Sequence, residues 1–212
     1  MRNAFNLNFG IGASSGVRSA AQLSLRRARL FASRLILGLS LILGAASAFA
    51  ADDAPLDFQV KAAFLVNFPK YIDWPSATFT ETNSPITVAI FGDDNVANEF
   101  ENMIAGGRTI GGHPLRLKRV EKEDQITPDC QILFIASSER QRAQAILEKI
   151  KGTSILTVGE NEAFLDQGGI VNLVHRDRKI RLQINLNTAR QANLKISTRL
   201  LITADAVKGK AE

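Results

Sequence analysis

One cysteine and two histidines in 212 residues leave little material for catalysis or metal binding. A structural zinc site takes four N/S ligands and a catalytic one takes three from the protein. Carboxylates would have to supply most of any such set, and no tight His/carboxylate constellation is present. We therefore expect no metal and no cofactor, and no single catalytic constellation stands out. With Cys130 alone, an intramolecular disulfide is excluded. There is no G-x-S-x-G elbow. The Gly-rich stretch Gly111-Gly112-His113-Pro114 lacks the Gly-Lys-Ser/Thr ending of a phosphate loop and follows a helical pattern instead of a strand.

Acidic residues are missing from the first fifty positions, which hold six Arg and no Lys. Arg26, Arg27, Arg29 and Arg34 precede an apolar run from Leu35 to Ala46, followed by Ala48-Phe49-Ala50. This order predicts a secretory leader cleaved after Ala50, with an apolar run too short for a membrane anchor. Gly10, Gly12 and Gly16 follow no strand and read as leader. The whole chain carries a formal charge of +5. Without the leader, 20 basic residues face 21 acidic ones, a net charge of −1. A near-neutral surface has no long-range attraction for phosphate backbones, so nucleic-acid binding is rejected. The expected location is a bacterial periplasm. The 162 residues that remain suffice for one domain with its own core.

Leu56, Val60, Phe64, Phe68 and Ile72 recur every fourth residue, which predicts an amphipathic helix from about 53 to 74. Phe64, Phe68 and Trp74 read as core within it. Pro69 should kink the helix or end its regular part, and Pro75 stops it. Residues 76–84 read as a polar loop. The mostly apolar run 86–91 predicts a strand covered on both faces. Asp93 or Asp94 can cap a helix over about 95–105. Strands are expected on either side of Gly111–Pro114, at 131–136 and at 154–158, with a helix from Glu139 to Lys151 and Gly152 as its C-cap. Residues 160–167 suggest one short helical turn. A hairpin with arms 169–175 and 179–186 turns at Asp177-Arg178, and a final helix runs from Asn187 to about Lys208. The order predicts a single α/β domain: a mixed sheet, helices on both faces, and the N- and C-terminal helices packed on the sheet.

Few residues invite a chemical role. His113 reads as a solvated turn residue. His175 is either an exposed strand-end residue or a contact for a ligand or partner. Ser137-Ser138 lies where a nucleophile might be placed after a strand, yet capping the next helix is the plainer reading. Asp93-Asp94 invites a cation reading, with helix capping again the default. Cys130 is expected to be buried at a strand start. Arg176, Arg178, Lys179 and Arg181 form the densest basic patch after residue 50.

The order of several segments carries a resemblance. Lys61-Ala62-Ala63-Phe64-Leu65-Val66-Asn67-Phe68 and then Tyr71-Ile72-Asp73-Trp74-Pro75 resemble the "KAAFLYNFAKFVEWP"-like opening helix of the YfiR-type periplasmic regulators. Val88 to Asp94 resembles the family's first strand, and Gly112-His113-Pro114-Leu115 its "GRPL" turn. Cys130 to Ile135 resembles its "CHILFI" strand, Ile155 to Val158 the next one, and Arg181 to Leu186 its "RFEIN" strand. The resemblance covers about residues 58–205. It implies a non-enzymatic repressor that binds the periplasmic sensor domain of an inner-membrane diguanylate cyclase and so lowers cyclic-di-GMP output and biofilm formation. It also implies an outer-membrane-associated partner that sequesters the regulator, a small aromatic or nucleotide-like ligand in some members, and a homodimer. Two departures stand out: members with paired cysteines have disulfides that Cys130 alone cannot form, and Pro69 stands where the family has a small residue. The contact patch expected on this reading joins the turn Phe164, Leu165, Gly168 and Gly169 to the hairpin residues His175, Arg176 and Arg181. The alternatives are a small-molecule sensor acting on a sensor kinase and, least favoured by the scarcity of His and Cys, an exported hydrolase or metalloenzyme.

Overall fold

The computed structural model describes residues 53–209. The expected leader lies outside them. The first helix, α1, is Asp53–Asn67, and a 3-10 turn at Phe68–Lys70 follows it. Pro69 is responsible: without an N–H it cannot continue the α ladder. The expected helix therefore stops seven residues early. Ile72 and Asp73 form a short strand, β1, which pairs antiparallel with β9 (Lys195–Ile196).

The main sheet begins with β2 (Ile86–Phe91), whose six residues are all buried. Helix α2 (Asp94–Ile104) leads to β3 (Thr109–Ile110) and β4 (His113–Val120). Asp93 caps α2, its Oδ1 accepting the N–H groups of Asn95 and Val96 at 3.0 and 3.1 Å. Then follow β5 (Ile132–Ile135), α3 (Arg140–Lys149), β6 (Leu156–Gly159), β7 (Val171–Arg176) and β8 (Lys179–Asn185). The last part holds α4 (Leu186–Gln191), β9, α5 (Thr198–Leu201) and β10 (Ala206–Lys208).

The expected single helix over 187–208 is thus replaced by two short helices and two strands. Asn193 takes a left-handed conformation, φ 55°, which turns the chain out of α4. Leu194 and Leu200 are nonetheless buried and face the core. The expected helical turn at 160–167 is a run of turns with no α-helix.

The sheet order is β10-β8-β7-β6-β5-β2-β4-β3. Strands β4, β2, β5, β6 and β7 are mutually parallel neighbours. β8 is antiparallel to β7, and β10 is parallel to β8. The mixed α/β class expected from the sequence is the one observed. Side chains alternate across the sheet. Val88, Ile90, Ile132, Phe134, Leu156 and Val158 enter one core together with residues of α1, α2, α4 and α5. Ala89, Phe91, Leu133 and Ile135 enter a second core with Ala143, Ile146 and Leu147 of α3. The chain crosses the sheet in opposite directions through α2 and α3, so same-handed crossovers place those helices on opposite faces.

Candidate functional site

The parallel strands reverse their winding between β2 and β5. In open α/β sheets the crevice beyond the carboxyl ends of such a pair is the usual ligand site. Here it is filled. Ser138 Oγ donates to the Gly92 carbonyl at 2.8 Å, and a Cβ at Gly92 would collide with Ser138 Oγ and the Glu139 side chain. The Ser137 N–H donates to Glu160 Oε1 at 2.7 Å, and Glu160 Oε2 pairs with Lys61 Nζ at 2.5 Å. Both serines therefore stitch the strand ends together, and neither side chain caps the helix as the sequence suggested.

An open groove lies elsewhere, between α1, β8 and α5, with a volume of about 640 Å³. Its apolar wall is the half-buried Phe64 of α1, whose ring stacks on the fully buried Phe68 of the following turn with centroids 5.9 Å apart and planes 21° from parallel. Tyr71 extends that wall. Arg181 of β8 and Arg199 of α5 supply two guanidinium groups, and among the described residues no carboxylate lines the groove. Neither guanidinium has an ion-pair partner among the described residues. A groove with an aromatic wall, two unpaired cations and no competing anion suits an acidic group attached to a planar or apolar body.

The expected contact patch divides. Phe164 is fully buried in the second core, beneath the face that carries α3, while Arg181 lines the groove on the α1 side. The Phe164 ring fits between Gly159 and Gly169, where any Cβ would strike it. Phe164 and Gly169 are thus packing residues, unavailable to a partner, and the close approach that Gly169 permits is to Phe164. Leu165 is partly buried, and its carbonyl accepts the Asn185 Nδ2 donor at 3.2 Å. Gly168 is exposed with φ +97°, a turn position that favours glycine.

On the hairpin, His175 Nε2 lies 2.7 Å from Asp57 Oδ2 of α1. Arg176 Nη1 lies 2.6 Å from Asp205 Oδ2. Both therefore already serve as ties between elements, and Arg181 is the member of the patch left to recognise something else. The groove also includes residues the sequence assigned elsewhere. Phe64 belongs to the stripe read as core, and it is half-buried, sharing itself between the core and the groove. Arg199 was hidden in the expected long helix. The one local signal for the pair was two arginines without a carboxylate neighbour to match them.

The remaining candidates are structural. His113 is half-buried, stacked on Phe79 at 4.3 Å, and its Nδ1 donates to the Ser84 carbonyl at 2.7 Å. It is not the solvated turn residue expected; it pins the 76–84 loop to the start of β4. Cys130 is buried next to β5, as expected. Burial pushes its thiol up to about 11, with the Asp129 charge adding to the effect, so the thiol stays protonated and inert at neutral pH. The Asp129 carboxyl is held below its ordinary range, chiefly by the Thr127 hydroxyl that donates to it and then by Lys118. Among the described residues no group of three or more His, Cys, Asp and Glu is placed to hold a metal ion, and no helix is long and apolar enough to cross a membrane.

Among solved structures, the chain is similar to a conserved domain protein from Vibrio cholerae O1 biovar eltor at 12% identity and a TM-score of 0.44, over 58% of this chain and 55% of that one. It is also similar to an ABC domain in complex with L-Trp from Streptococcus pneumonia at 11% identity and a TM-score of 0.48, over 69% of this chain and 60% of that one. The chain thus covers less than two thirds of either, and both likenesses are too distant to carry function. No curated protein matches the chain. The sequence pattern of the YfiR/HmsC-like family matches residues 58–205, a span that takes in every residue lining the groove. The chain belongs to the YfiR/HmsC-like family, whose members are periplasmic regulators of diguanylate cyclase signalling rather than enzymes.

Proposed function

We propose that this chain is a periplasmic repressor that binds the periplasmic sensor domain of an inner-membrane diguanylate cyclase, lowering cyclic-di-GMP output and biofilm formation. Family membership supports the regulatory role. The observation that carries the contact site is the pair of guanidiniums, Arg181 and Arg199, which have no ion-pair partner among the described residues and lie beside the half-buried Phe64 ring. A regulator needs a rigid scaffold and a recognition surface. The filled switch-point crevice and the inert Cys130 fit that economy. Arg181 would take an acidic side chain of the sensor domain in a bidentate contact, and the aromatic wall would cover the apolar residues around it. The export leader over residues 1–50 and the homodimer belong to the same proposal, as does release of the cyclase by an outer-membrane-associated sequestering protein.

The test is capture of membrane partners. Tagged protein lacking the leader (residues 51–212) is passed over solubilised membranes, and retained proteins are identified by mass spectrometry. Retention of an inner-membrane protein that joins a periplasmic domain to a cyclase domain is the result expected. Retention of a sensor kinase in its place would move the regulator to another pathway. Capture of neither would overturn the proposal.

A second reading rests on the volume of the groove. About 640 Å³ lies within the range of small-molecule sites. The Phe64 and Tyr71 rings and the guanidiniums suit an anionic aromatic or nucleotide-like ligand that would tune partner binding. A rise in melting temperature with a nucleoside monophosphate, lost in Arg199→Glu, is its signature. No rise with any such anion would reject it.

A further inference from the structure

A second cavity, of about 250 Å³, opens between the C-terminal end of α3, the start of β6, the turn 166–168 and α4. It shares no lining residue with the groove. Its chemistry differs as well. Glu148 and Lys151 at its rim pair with each other at 3.5 Å, and Asp166 pairs with Lys208 at 2.8 Å. The charges at the rim are thus paired, and no unpaired charge among the described lining residues favours an ion of either sign. Hydrogen-bonding groups remain. Thr157 Oγ1 accepts the Ile170 N–H at 2.9 Å, which leaves its own proton to be donated. Thr188 and Gln191 contribute a hydroxyl and an amide whose side chains have no hydrogen-bond partner among the described residues. Gln167 lines the cavity, and its Oε1 is buried without a donor.

That last atom matters most. A buried acceptor without a donor is destabilising, and native structures hold few of them. Rotation of the terminal amide toward a donor in the cavity would relieve it. Hydroxyls and primary amides both donate and accept. A cavity ringed by them matches a molecule that does both at several points, which is a polyhydroxyl compound. Ile150, Ile155 and Ala192 supply an apolar wall for its C–H face. By volume the cavity holds about eight waters, room for one sugar ring.

We propose that this cavity is a binding site for a compact, uncharged polyhydroxyl molecule of monosaccharide size, with Gln167 as the acceptor of one of its hydroxyls. This site is independent of the Arg181 groove and of the partner assigned above. The experiment is a nuclear magnetic resonance titration of the purified protein with glucose and N-acetylglucosamine, with glucuronate as the charged control. Saturable shifts at the amides of Gln167, Gly168 and Thr188, produced by a neutral sugar and absent with glucuronate, are the expected result. Gln167→Leu should weaken binding at least tenfold while leaving the melting temperature of the free protein unchanged or higher. Thr188→Val should weaken binding without unfolding the domain. Three results would each overturn the proposal: no saturable shift with either neutral sugar, shifts confined to groove residues such as Phe64, or a fall in the melting temperature of Gln167→Leu. The first would mean that solvent alone fills the cavity, and the last that the Gln167 amide is structural.

Discussion

The Lys61–Glu160 pair bears more load than its single contact suggests. The two side chains are 12% and 7% exposed, and the Nζ–Oε2 distance is 2.5 Å. At an effective dielectric of about 20 the attraction at this distance is roughly 7 kcal/mol. Desolvation of both ions offsets most of that, so the pair contributes little net stability compared with an apolar pair of the same shape. Removal of one partner is a different matter. Lys61→Met leaves the Glu160 carboxylate buried with only the Ser137 N–H, at 2.7 Å, to hold it. Breaking a buried pair costs about 3–5 kcal/mol, and the surviving hydrogen bond places this case near the lower end, about 3 kcal/mol. For a domain of this size each kcal/mol moves the melting temperature by about 2–4 °C, so a fall of roughly 6–12 °C is expected. Urea unfolding followed by circular dichroism should show the midpoint lowered at constant slope. Glu160→Gln and the double variant Lys61→Met/Glu160→Gln complete the cycle, with a coupling of about 2–3 kcal/mol expected. A cost below about 1 kcal/mol for Lys61→Met would place the pair with exposed ion pairs and refute the reasoning.

Gly169→Ala should destabilise the domain by about 1–3 kcal/mol, because its Cβ enters the space of the Phe164 ring and meets the Phe164 carbonyl as well; thermal unfolding checks this. Cys130 keeps its proton more tightly folded than unfolded, so its contribution to stability is complete below pH 9 and is lost as pH rises toward about 11. Thiolate absorbance during a pH titration should therefore rise near 11, and iodoacetamide at pH 8 should leave the folded protein unlabelled. Asp177 and Arg178 occupy a two-residue turn with φ of 53° and 58°, a geometry that Asn-Gly adopts at least cost. Arg178→Gly should raise stability by about 1 kcal/mol, measured by urea unfolding.

The strands of the central sheet were legible because burial on both faces forces continuous apolar runs, and 86–91 is such a run. The break at Pro69 was legible because a missing N–H ends an α ladder whatever the context. The C-terminal part was not. The β1–β9 pairing joins Ile72 to Ile196, and a contact between residues so far apart leaves no local periodicity. The apolar positions after Asn187 fit one helix on paper, and only the left-handed Asn193 and the distant partner strand decide otherwise. The site was half legible. Arg181 stood out by charge and alternation. Phe164 and Gly169 looked like a permissive surface turn because nothing local says which face of a sheet a turn will cover. Phe64 served two purposes at once, core and groove wall, which one stripe cannot reveal.

The central claim is that this chain restrains a cyclase through the Arg181 and Arg199 groove. Cyclic-di-GMP measured in cells that lack the chain, and in cells complemented with the full chain or with Arg181→Glu/Arg199→Glu, tests it most directly. Loss of the chain should raise cyclic-di-GMP, the unaltered chain should restore the lower level, and the folded double variant should fail to do so. An unchanged level on loss of the chain, or full restoration by the double variant, would contradict the account.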